Sequence, residues 1–169
     1  MPSIQFAAHG SATYNAAVLR ALFNFFRSGP DKPPVSEDPE QIRRIYLRKR
    51  WSVFLTITFG YGLFYTTRLS LSVVKDPMIR AGVFDPAQLG LIGSTLFFAY
   101  AIGKLVNGLL ADRADIRKFM TLGLGAAALT NLILGFSTAF WVFALLWAVN
   151  GWFQSMGSAP SVVSLTQWF

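Results

Sequence analysis

Two cations stand where cations are costly. Arg68 lies inside the apolar run that begins at Trp51, and Lys104 inside the run that begins at Leu89. A cation near mid-bilayer costs at least ~2.5–3.5 kcal/mol on insertion scales, so something should offset it. The nearest acids, Asp76, Asp85 and Asp112, stand at the ends of these runs, and neither run contains one. Two intramembrane cations without counter-charges point to an anion as the missing partner. Either side chain could instead snorkel to an interface, or meet an acid elsewhere in the protein.

The neighbouring side chains favour the anion. Tyr61, Tyr65 and Arg68 are spaced i, i+4, i+7 and share one helix face. Tyr100 and Lys104 are spaced i, i+4, with Asn107 one turn further. Phenols donate to phosphate or sugar oxygens, and a guanidinium grips phosphate through two parallel bonds. Interfacial tyrosines are also common in membrane proteins, which is the lesser alternative for Tyr65. Asn150, Trp152, Gln154 and Ser155 form a polar patch that suits a helix facing a water-filled cavity.

The elements that carry these residues follow from composition. The chain has 169 residues, 53% hydrophobic, 15% aromatic and only 14% charged. Soluble domains carry about a quarter charged residues. Between Phe119 and Phe169 there is no Asp, Glu, Lys or Arg, room for two spans of about twenty residues each. The expected fold is an all-α membrane protein with about four transmembrane helices, over 51–74, 89–110, 119–136 and 139–161. Pro77 and Pro86 are expected to break the chain between the first two spans, and Ser137-Thr138 to give a tight turn between the last two.

Residues 1–41 read as a cytoplasmic tail. Residues 16–28 place Val18, Leu19, Leu22, Phe23 and Phe26 at helical spacing, too short to span, and read as an amphipathic helix on the membrane surface. Residues 29–41 are a Pro-rich linker. The transmembrane part is expected over 42–169. Arg43, Arg44, Arg48, Lys49 and Arg50 precede the first span, and Arg113, Arg117 and Lys118 follow the second. The loop after the third has no cation, so the N-terminus and second loop should face the cytoplasm. The net charge of +7 is explained by that topology, and nucleic acid is not an expected partner. There is no cysteine, and the sole histidine, His9, lies in a polar stretch. No nucleophile is arranged with a base, so neither an enzyme nor a metal or cofactor is expected.

The stretch from Gly108 to Lys118, G-L-L-A-D-R-A-D-I-R-K, resembles the signature loop of the major facilitator superfamily, with one extra residue between the Asp-Arg and Arg-Lys pairs. F-G-Y-G-L-F-Y-T-T-R (59–68), A-Y-A-I-G-K (99–104) and N-G-W-F-Q-S-M-G-S-A-P (150–160) are similar to its organophosphate:phosphate antiporters. That group holds bacterial glycerol-3-phosphate and hexose-phosphate transporters and a hexose-phosphate sensor. L-G-F-S-T-A-F-W-V-F-A-L-L-W (134–147) looks closest to the sensor-like branch. The resemblance implies that Arg68 binds the substrate phosphate, with Tyr61, Tyr65, Lys104, Tyr100 and Trp152 around it. Arg68 is followed by Leu69, where relatives commonly carry Lys, a departure that bears on substrate identity. Gly108, Asp112, Arg113, Arg117 and Lys118 would form a charge latch that changes during the transport cycle.

The implied function is exchange of a sugar phosphate for inorganic phosphate across the bacterial inner membrane. The alternative is a membrane sensor of external hexose phosphate acting with a histidine kinase. Such proteins have about twelve spans in two six-helix halves with the site between them. Four spans would then be an N-terminal fragment, whose partners include the remaining spans and the lipid bilayer.

Overall fold

The computed structural model describes residues 37–169 together with 17, 20, 21, 24–27, 29 and 33. Four helices follow one another: α1 (Pro39–Arg80), α2 (Pro86–Ala111), α3 (Ile116–Leu134) and α4 (Phe140–Trp168). Among the described residues there is no strand beyond one isolated bridge, between Arg27 and Ala114.

Aspartates start three of the helices. Asp38 accepts from the Glu40 amide at 3.1 Å and is followed by Pro39 in the first helical turn. Asp85 and Gln88 cap each other's backbone reciprocally ahead of Pro86. Asp115 accepts from the Arg117 amide at 3.0 Å. Gly82 provides the left-handed residue that turns the chain between α1 and α2, at φ +67°.

α1 is longer than the hydropathy suggests at both ends. The basic segment Ile42–Arg50 is helical and continuous with the apolar run, because Pro39 opens a helix at a position that needs no amide donor. At the other end Pro77, expected as a breaker, stands inside the helix. It falls in the last turn, so only one backbone bond is lost before the helix ends. The 42 residues measure ~63 Å, about twice a ~30 Å hydrocarbon core. α4 likewise runs past Ser161 to Trp168, with Pro160 buried inside it.

Within the segment 16–28, residues 16, 18, 19, 22, 23 and 28 lie outside the described residues, so the amphipathic face expected from Val18, Leu19, Leu22 and Phe23 does too. Residues 24–27 dock on the connection between α2 and α3. The Phe26 carbonyl accepts from the Asp115 amide, and its ring meets Phe119 edge-on at 6.1 Å. Lys118 Nζ donates to the Phe25 carbonyl at 2.9 Å.

α4 packs against all three other helices, most extensively against α2. Two glycines permit this. A Cβ on Gly151 would collide with the Leu96 carbonyl of α2, and one on Gly157 would strike the Phe64 ring of α1. Small residues replace the hydrophobic effect as the means of close helix association where the solvent is itself apolar.

The polarity of the bundle is inverted. α4 buries Asn150, Gln154, Ser155, Ser158, Ser161 and Ser164, whereas Phe97, Phe98, Leu105, Leu109, Trp141 and Leu145 are exposed. An exterior of this kind fits hydrocarbon and would be an aggregating patch in water. Among the described residues one helix, α2, is long and apolar enough to cross a membrane by length and composition alone. α1 is diluted by its basic end and Arg68, α3 by Arg117 and Lys118, and α4 by its buried polar row. At one end of the bundle Leu71, Phe84, Leu89, Ile92, Leu96, Phe143 and Trp147 form an apolar plug. At the other end α1, α3 and α4 diverge around a groove of about 850 Å³, lined by Ser52, Ile57, Asp112, Arg117, Met120 and Gln167 among others.

Replacing Gly151 with Ala should lower the stability of the detergent-solubilised protein by ~1–3 kcal/mol, through forced separation of α2 and α4. Gly125, whose added Cβ would meet nothing within 4 Å, should accept Ala without loss. Thermal unfolding of the two variants side by side reads the difference.

Candidate functional site

Arg68 projects inward. Its Nε donates to Gln154 Oε1 at 2.6 Å, across the interface between α1 and α4. Gln154 stands at the midpoint of α4, so the guanidinium lies at mid-bundle and does not snorkel to an end. Arginine has only donors, which fixes the amide with its oxygen toward α1. The Gln154 Nε2 group then donates to Asn150 Oδ1 at 3.3 Å, and Asn150 Nδ2 reaches the Thr67 carbonyl at 3.5 Å. Two amides one turn apart on α4 thus hold two consecutive residues of α1.

Aromatic faces complete the setting. The guanidinium carbon lies 4.4 Å from the Tyr100 ring centroid and 5.3 Å from that of Tyr65. Tyr61 meets Tyr65 edge-on at 5.3 Å. The Tyr100 hydroxyl faces Tyr61, Arg68 and Ser158. A hydrogen bond to a charged donor contributes ~1.5–3 kcal/mol, and each cation–π contact roughly 0.5–2 kcal/mol. Together these match the insertion cost of the cation without an acid. Among the described residues no carboxylate stands within ion-pair distance of Arg68.

The structure therefore gathers Arg68, Tyr61, Tyr65 and Tyr100 into one cluster. Lys104 is left out of it. One turn beyond Tyr100, it is exposed and forms no hydrogen bond or ion pair with a described residue. Trp152 is half-buried and packs on α2, its ring 3.4 Å from where a Gly103 Cβ would stand. The Trp152 carbonyl and the Ser155 hydroxyl accept from Asn107 Nδ2 at 3.5 and 2.6 Å. The direct partner of Arg68, Gln154, was visible in the sequence only as part of a polar patch. Its spacing from Asn150, i to i+4, is the signal that pairs the two amides.

The loop residues occupy the opposite end of α2. Gly108 is half-buried within α2, Asp112 caps it, and Asp112, Arg113, Arg117 and Lys118 are exposed. No ion pair joins any of these four to another described residue, and Lys118 spends its ammonium on the Phe25 carbonyl and ring.

Residues 57–169 match the sequence profile of the Major Facilitator Superfamily. The chain belongs to the major facilitator superfamily. It is an all-helical integral membrane protein of that superfamily. Over 79% of its length it is 41% identical to a Chlamydia pneumoniae protein named as a probable hexose phosphate transport protein, covering 29% of that protein. Over 85% of its length it is 35% identical to a membrane sensor protein of Salmonella typhimurium, covering 33% of it. A glycerol-3-phosphate transporter of Haemophilus influenzae is 36% identical over 83% of this chain, which covers 31% of the transporter. The chain thus spans about a third of the length of the curated relatives it matches.

The buried amide–hydroxyl pair that joins α2 to α4 is expected to be weakly but measurably coupled. A double-mutant cycle of Asn107→Ala and Ser155→Ala in the full-length protein, read by denaturant unfolding in mixed micelles, should return a coupling of about 0.6 kcal/mol, with ~1.7 kcal/mol as the upper end for such bonds.

Proposed function

We propose that the protein carrying this chain transports an organophosphate, of the sugar-phosphate class, in exchange for inorganic phosphate. The observation that carries this reading is the neutral setting of Arg68. A guanidinium held at mid-bundle by an amide and two phenol rings keeps its full charge available to an anion. Its Nη edge is the fork that takes phosphate oxygens in pairs. Tyr61, Tyr65 and Tyr100 supply phenols for phosphate or sugar oxygens, Lys104 adds positive potential from one turn away, and Trp152 supplies an apolar wall.

Alternating access would proceed by rocking of two helical halves around this site. The connection that holds Gly108, Asp112, Arg113, Arg117 and Lys118 would act as the latch, with the N-terminus and that loop in the cytoplasm of a bacterial inner-membrane protein. No step makes or breaks a covalent bond, so the protein is read as a non-enzyme without metal or cofactor.

The similarity to a membrane sensor protein favours a second reading, a receptor for external hexose phosphate that signals to a histidine kinase. Both readings use the same phosphate-binding residues and differ in whether ligand crosses the membrane.

Arg68→Lys keeps the charge and removes the planar fork. In proteoliposomes of the full-length protein loaded with labelled phosphate, exchange should fall by ~10–100-fold, the loss of one charge-assisted bond. Exchange equal to wild type removes Arg68 from the site. Ligand-dependent thermal protection without exchange in the wild type selects the sensor.

A further inference from the structure

We propose that Gln154 is a positioning residue that sets the charge of the site: as a neutral isostere of glutamate it orients Arg68 without neutralising it, which reserves the site for a phosphate-bearing anion. The proposal rests on the anion-site reading of Arg68 and adds a residue and a selection rule to it.

An acid would be the cheaper partner for Arg68. A glutamate at position 154 would place a carboxylate where the amide oxygen now stands, 2.6 Å from Arg68 Nε. Within a membrane, intramembrane cations characteristically pair with acids, because a pair removes the isolated charge from an apolar setting. The chain has the amide instead. An amide satisfies one donor of the guanidinium and leaves a net positive charge on the cluster.

The other groups around Arg68 do not change that balance. From α1 they are Tyr61 and Tyr65, from α2 Tyr100, and from α4 Asn150 and Ser158, all without formal charge as neutral phenols, amides and hydroxyls. α4 carries no Asp, Glu, Lys, Arg, His or Tyr between Phe140 and Trp168. The titratable side chains of α3, Arg117 and Lys118, lie at its far end. The remaining nearby charge on α2 is Lys104, which is also positive.

The amide is also held in one orientation. Gln154 is 1% exposed, and its NH₂ group is committed to Asn150, which is in turn committed to the Thr67 carbonyl. A free glutamine side chain could rotate away from the guanidinium when an anion arrives. This one keeps its oxygen on Nε, so the two Nη groups stay aimed together.

Stability and phosphate affinity should therefore respond differently to charge at this position. Gln154→Glu gives Arg68 a buried counter-ion but loses the donor to Asn150 Oδ1, so the Tm of the ligand-free, full-length protein in detergent should change by no more than a few degrees. The same variant should raise the KM for phosphate in proteoliposome exchange by about tenfold or more, with kcat little changed. Gln154→Leu, which removes the hydrogen bond but adds no charge, should lower the Tm and raise KM less than Gln154→Glu does. A residue that served only packing would give the reverse order, since Glu is the closer mimic of Gln in shape.

Wild-type KM in Gln154→Glu overturns the proposal. So does a KM less affected than in Gln154→Leu, or a Gln154→Glu protein that fails to fold. Arg68→Lys is assayed in parallel. If it exchanges like wild type, the anion-site reading has failed. If it loses exchange while Gln154→Glu retains wild-type KM, only the role of Gln154 has.

Discussion

A cation in the centre of a hydrocarbon-facing bundle must be satisfied before any other contact matters. The hydrogen bond from Arg68 to Gln154 does this, and much of the architecture is arranged around it. It fixes the rotation of α1 about its axis, because Tyr61, Tyr65 and Arg68 share a face that now meets α2 and α4. It fixes the height of α1 against α4, because Asn150 reaches the residue just before Arg68. An apolar contact would tolerate a slip of one turn. A chain of directional donors and acceptors does not, since each slip strands a buried polar group.

The helices come close enough for such bonds because of what α4 lacks. Gly151 and Gly157 have no Cβ, and serines line the buried face between them and Trp168. Lipid gives no drive to bury apolar side chains, so contact area and polar pairing have to bring the helices together. The apolar plug of Leu71, Phe84, Ile92, Phe143 and Trp147 lies at one end only. Beyond it the buried face of α4 turns polar through Asn150, Gln154, Ser155 and Ser158, as expected of a bundle whose middle meets water or solute.

Much of this was legible in the residues. Arg68, Tyr61 and Tyr65 fall on one face by spacing alone, and the charge-free stretch after Phe119 announces two spans. Gln154 was harder to see, because an uncharged amide in an apolar run is unremarkable until its partner across the bundle is known. Lys104 read as the twin of Arg68 from its depth in the run, and it follows Tyr100 by one turn of α2, but its side chain is exposed and bonds to no other described residue. The extent of α1 was obscured by its prolines. Pro39 and Pro77 look alike in a sequence, yet one opens a helix and the other is tolerated in its final turn. The docking of residues 24–27 on the α2–α3 connection depends on backbone pairing, to which side-chain pattern is blind.

The uninterrupted length of α1 has a mechanical consequence. An α-helix does not telescope, because its rise is fixed by hydrogen bonds along the whole axis. Arg44 and Arg68 are ~36 Å apart at 1.5 Å per residue on one stiff rod. Tyr46 stacks on Trp168 at 5.6 Å, and Arg50 lies over the Phe169 ring at 4.0 Å, so the rod bears on the end of α4 just below its basic tip. A tilt of the charged tip about that contact would be carried along α1 toward Arg68, softened only at Gly60 and Gly62. The same rod therefore connects whatever grips the basic end to the grip on the guanidinium.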